Sequence, residues 1–202
     1  MNPLNDDIVI QLGIPDPLRR RAATIYYDAF EKKLRPILGT REQTLAILEE
    51  SLRSDYAFVA LADGDLVGIA GFHEPNGQMV DIHFDPLRRH LGWIKALWAA
   101  VAGSLLTRNL KPHQLLMDGI SVEARMRGKG VGTCLLDAVT DYAREHGFHT
   151  VALDVINTNP DARRLYERKG FQALTTQQYG WLTSWLGFTS STSMVKSVTP
   201  LE

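Results

Sequence analysis

A single cysteine, Cys134, in 202 residues excludes an internal disulfide framework and suits a reducing compartment. It falls inside a helical pattern and is expected to be a structural thiol. Surplus charge is missing too. Lys and Arg number 22 against 23 Asp and Glu, a formal net charge of -1. Nothing there draws the chain as a whole toward nucleic acid or an anionic membrane. No uninterrupted apolar run approaches the roughly 20 residues of a spanning helix. The polar, acidic start lacks the basic flank and apolar core of a signal peptide. The expectation is a cytoplasmic protein without nucleic-acid or membrane contact. His73, His83, His90 and His113 form no i, i+4 pair, so no metal is expected.

What is present is enough apolar residue, 45%, to bury a core. One domain over residues 1–202 is expected. Residues 7–13 read as a strand closed by Pro15 and Pro17. Residues 18–33 read as a helix with Ala22, Ile25, Tyr26, Ala29 and Phe30 at helical spacing, broken by Pro36 and Gly39. Thr40 with Gln43 three residues later is a capping box for a second helix bearing Leu45, Leu48 and Leu52. Residues 56–72 read as a hairpin about Asp63 and Gly64.

Residues 75–112 then read as an insertion. After a turn at 75–77, residues 91–107 make one apolar helix with Ile94, Leu97, Trp98, Val101 and Leu105 on a face and basic residues at both ends. Packing on its own domain is the first expectation for this helix. A membrane surface, a pocket wall and a dimer contact are the others. Strand 114–122, helix 133–146, strand 149–156, helix 159–169 and strands from 171 and over 190–198 follow. Apolar residues 181–188 read as a loop or short helix over the sheet edge.

The stretch 120–133 organises this pattern. A β-run breaks at Gly128, Gly130 and Gly132 and continues as a helix. Strand, glycine turn and helix N-terminus together bind anions, phosphate above all, because unpaired N–H groups and the positive dipole end converge there. The spacing G-x-G-x-G is not the dinucleotide fingerprint, and no Walker loop occurs. That argues against a nucleotide-binding regulator. Arg127, Gly128, Lys129, Gly130, Val131 and Gly132 read R-x-x-G-x-G. One helix and one strand downstream, Asn159, Ala162, Leu165, Tyr166, Gly170 and Phe171 read N-x-x-A-x-x-L-Y-x-x-x-G-F. These two signatures, in this order, resemble those of the GNAT superfamily of acyl-CoA-dependent N-acetyltransferases. The close resemblance covers residues 115–171.

The resemblance implies a mixed α/β sheet splayed at its centre and flanked by helices, here with the helical insertion between the third and fourth main strands. Acyl-CoA wedges between the strands at 115–122 and 149–156. Pantetheine pairs with the backbone at Ile120, Ser121 and Val122. The pyrophosphate lies on N–H groups from Arg127 through Gly128, Lys129, Gly130, Val131, Gly132 and Thr133. Asn159 bonds pantetheine or a nearby water, and also suits a helix N-cap. Tyr166 donates a proton to the departing sulfur. Asp118 is the candidate base. Several family members carry a longer glutamate there, and many use ordered water alone. Glu74 and His73 could face the acceptor, whereas Glu123 sits too near the loop. Ala124 stands where the family often has proline. Together these imply an acetyl-CoA-dependent N-acetyltransferase acting on a small-molecule or peptide amine in a ternary complex, with a homodimer as one assembly. The alternative is a catalytically silent acyl-CoA sensor, against which retention of Tyr166 argues.

Overall fold

The computed structural model describes residues 8–104, 110–180 and 187–199. Its strands are β1 (Ile8–Leu12), β2 (Ala57–Ala62), β3 (Asp65–Glu74), β4 (Gly77–Gln78), β5 (Gln114–Val122), β6 (Thr150–Ile156), β7 (Gln172–Gln178) and β8 (Ser190–Ser197). They form one mixed sheet in the order β1-β2-β3-β5-β6-β8-β7, with β4 hung on β3. Its α-helices are α1 (Arg19–Leu38), α2 (Arg41–Ser51), α3 (Phe84–Leu91), α4 (Trp93–Ser104), α5 (Val131–Glu145) and α6 (Pro160–Arg168).

Local chemistry sets the early elements. Asp63 and Gly64 both take positive φ, 51° and 79°, the turn geometry whose twist matches a two-stranded hairpin. Thr40 accepts from the Gln43 N–H while the Gln43 side chain accepts from the Thr40 N–H, so the capping box forms. The first helix runs past its expected end. Pro36 lies inside α1, which stops at Gly39 with φ 87°. Proline costs one backbone bond this close to the helix end. Burial of Leu38 against Ile47, Leu87, Ala96 and Ala99 holds the last turn in place.

The helices cover both sides of the sheet. On one side Ser121 of β5 donates to the Ile25 carbonyl of α1 at 2.7 Å. On the other, Gly68 of β3 lies against Val131 and Leu135 of α5. The main core fills between these layers, with Leu66, Ile69, Phe72, Leu115, Leu135 and Leu136 fully buried.

The insertion departs from expectation. It is two helices, broken at Gly92 with φ 77°, and not one helix over 91–107. Residues 105–109 and 181–186 lie outside the described part. The apolar face of α4 also points the other way. Ala96 and Ala99 are buried, while Ile94 is 87% and Leu97 62% exposed. Alanine lets α4 approach α1 closely, and the bulky residues are left outside.

Candidate active site

β5 and β6 are parallel but pair only through Gln114 with Thr150, Leu115 with Val151 and Leu116 with Ala152. Beyond Leu116 they part, β5 following β3 to Val122 and β6 following β8 to Ile156. The result is a wedge at the centre of the sheet, with the edge of β5 from Met117 onward facing an opening.

The glycine loop closes the mouth of that wedge. A 3-10 turn at Ala124–Met126 leads to Gly128 with φ 76° and Gly130 with φ 87°. Gly130 is the left-handed N-cap of α5, a conformation costly for any residue with a Cβ. Gly132 differs: it is helical, and a Cβ there would sit 3.7 Å from Leu165 and Val122. Leu165 of α6 and Val122 of β5 therefore flank this turn of α5 at the mouth. The Thr133 and Cys134 N–H groups both donate to the Gly130 carbonyl, which leaves the Val131 and Gly132 amides as the helix-terminal donors, next to Lys129. Arg127 turns its Nε back onto the Val122 carbonyl at 3.1 Å, pinning the loop to the strand end.

α6 starts at Asn159, whose Oδ1 accepts from the Ala162 N–H at 3.2 Å, so the N-cap reading of Asn159 holds. Its neighbour Asn157, which the sequence reading passed over, accepts from the Thr189 and Ser190 N–H groups and ties the end of β6 to β8. Tyr166 is buried, 7% exposed, with its ring 5.9 Å from Phe171. Among the described residues its hydroxyl has no hydrogen-bond partner. Burial pushes its phenol up to about 12.

Asp118 sits on a bulge. The β3–β5 register passes from Gly71 with Gly119 to Phe72 with Met117, so Asp118 is the extra residue. Ordinary alternation would send 118 and 119 to opposite faces; the bulge turns both onto the α1 side. There Gly119, at φ 144°, lies under Phe30, so that a Cβ would come within 2.6 Å of its ring. Phe30 stacks on Tyr26 at 4.6 Å. Burial pushes the Asp118 carboxyl up to about 6 against the opposing pull of Lys33 and a hydrogen bond from the Met79 backbone. Burial and the Asp118 charge in turn push the Tyr26 phenol up.

Other candidates are engaged elsewhere. Glu123 pairs with Arg21 at 2.9 Å and Arg125 at 2.8 Å, and those two guanidiniums, Arg125 first, hold its carboxyl below the usual range. Glu74 turns toward α5. It accepts from the Tyr142 hydroxyl of α5, on the opposite side of the sheet from Asp118. The Ser121 hydroxyl is spent on α1, which leaves only its backbone to a ligand.

Residues 21–171 match the family model described as Acetyltransferase (GNAT) family. The chain belongs to the GNAT acetyltransferase family. A probable N-acetyltransferase camello of Xenopus tropicalis is 42% identical over 59 residues, 29% of this chain and 27% of that protein. Matched stretches span 17% to 43% of the curated relatives' own length. A solved acetyltransferase structure superposes with TM-score 0.64 at 24% identity, over 94% of this chain and 99% of that one. A putative acetyltransferase from Salmonella typhimurium, solved with acetyl-CoA, superposes with TM-score 0.56 at 18% identity over 95% and 94%. At these identities the structural likenesses bear on the fold, and in these neighbours it is the same GNAT fold.

Proposed function

We propose that this GNAT chain, acting as one domain over residues 1–202, is an acetyl-CoA-dependent N-acetyltransferase. It transfers acetyl directly to a primary amine of a small molecule or peptide in a ternary complex. The parting of β5 from β6 after Leu116 carries this reading, because it opens a slot for an extended acyl chain that ends at an anion-binding helix terminus. The pyrophosphate rests on the amides from Arg127 through Thr133. Pantetheine pairs with the free edge of β5 at Ile120 to Val122, near Asn159.

The acceptor enters from the α1 side, between Tyr26, Phe30 and Lys33. Asp118, at about 6, is ionised above neutrality yet basic enough to accept a proton from the amine. The nitrogen attacks the thioester carbonyl, the C–N bond forms and the C–S bond breaks. Tyr166, neutral throughout the physiological range, gives its proton to the departing sulfur, and free CoA leaves. The support is that β5 parts from β6 beside the Asp118 bulge and that burial keeps the Tyr166 phenol protonated. The test is thiol release from acetyl-CoA against amines, amino acids and peptides. Turnover with at least one amine is expected; saturable acetyl-CoA binding with no release from any acceptor would favour a silent sensor.

A further inference from the structure

α4 is amphipathic in the reverse sense. Its small residues Ala96 and Ala99, 0% and 3% exposed, face the protein. Trp93, Ile94, Leu97, Trp98 and Val101 face solvent at 68%, 87%, 62%, 49% and 55%. Phe84 of α3 extends the patch, its ring 5.6 Å from Trp93. Monomeric proteins seldom leave a contiguous apolar patch of this kind open beyond a few hundred Å². A face of this kind marks a candidate interaction surface.

Charge says for what partner. Between Asp85 and Asp118 the sequence contains no Asp or Glu, while Arg88, Arg89, Lys95 and Lys111 fall there. Arg88 lies over the Trp93 ring at 5.5 Å. Arg88 and Arg89 keep 44% and 60% of their side chains exposed despite pairing with Asp85 and Glu50. Two copies of this face packed together would set basic rims against each other. Anionic headgroups would complement them. Trp93 and Trp98 each combine an apolar body with one N–H donor, the chemistry that settles at the headgroup boundary. Among the described residues no helix is long and apolar enough to cross a membrane, so the contact lies along the surface.

We propose that α4 is an interfacial anchor that lays Trp93, Ile94, Leu97, Trp98 and Val101 into a bilayer containing anionic phospholipid. Overall charge and run length argue against membrane contact for the chain as a whole, but a membrane surface is one of the readings the sequence leaves open for this helix, and the outward face of α4 favours it.

Sedimentation of the full chain with vesicles tests this, using phosphatidylcholine alone or mixed with phosphatidylglycerol. Binding to the mixed vesicles is expected, at least about tenfold weaker to phosphatidylcholine alone, and weakened by added salt. Ile94→Gln with Leu97→Gln should cut partitioning at least about tenfold with the melting temperature unchanged, because both side chains already stand in water. Absence of vesicle binding, or binding that the double variant leaves intact, overturns the proposal. A concentration-dependent dimer that the double variant dissociates, without vesicle binding, assigns the face to a second copy and overturns it as well.

Discussion

Asp118→Asn removes the ionisable group on the bulge while keeping its shape. Its carboxyl titrates near 6 in the fold and near 3.9 in an unfolded chain. The folded state therefore holds the proton more tightly, and stability falls as pH rises from about 4 to about 6. Above that window the charged carboxylate costs about 3 kcal/mol. Asparagine does not carry that cost, though it leaves Lys33 without this neighbour. We expect the variant to be about 1–3 kcal/mol more stable than the parent at pH 8 and equal to it near pH 4, by urea denaturation at each pH. Activity should move the opposite way. Loss of a general base should lower kcat/KM by about 10²–10³-fold and abolish the acid limb expected of the parent near pH 6. A variant that keeps parental turnover and the same acid limb would refute the base assignment. One that is less stable at pH 8 than at pH 4, relative to the parent, would refute the electrostatics.

The remaining predictions concern the acid, the loop and the bulge. Tyr166→Phe should lower kcat by about 10²-fold with little change in melting temperature, since among the described residues the hydroxyl has no partner to lose; no basic limb from this phenol should appear below about pH 10, given its value near 12. Gly130→Val should cost about 1–2 kcal/mol through its left-handed φ and weaken acetyl-CoA binding at least about tenfold, whereas Gly132→Ala should stabilise by about 0.5–1 kcal/mol and leave affinity within about threefold; thermal melts and calorimetric titration separate the two. Gly119→Ala should cost upward of about 2 kcal/mol, measured by chemical denaturation, because Phe30 and the positive φ leave no room for a Cβ.

The parts legible from sequence are those fixed by neighbours in the chain. The glycine loop, the Asn159 cap, the Thr40 box and the Asp63–Gly64 turn each rest on a few consecutive residues. Long-range pairing set the rest. The bulge that turns Asp118 toward α1 exists only in the register of β5 on β3. The sequence leaves open which way Glu74 turns at its strand end; in the fold it is presented to Tyr142. In α4, periodicity groups Ile94, Leu97, Trp98 and Val101 on one face but does not say which face turns inward; packing against α1 and α3 chose the alanines. Pro36 stands inside α1 because Leu38 finds a buried partner set beyond it.

The central claim is that the slot between β5 and β6 holds acetyl-CoA against the loop at Gly128 to Thr133. Calorimetric titration with acetyl-CoA, with NADH as the comparison, tests it directly. One saturable site for acetyl-CoA, lost in Gly130→Val and absent for NADH, is predicted. No saturable binding of acetyl-CoA by the folded protein would contradict it.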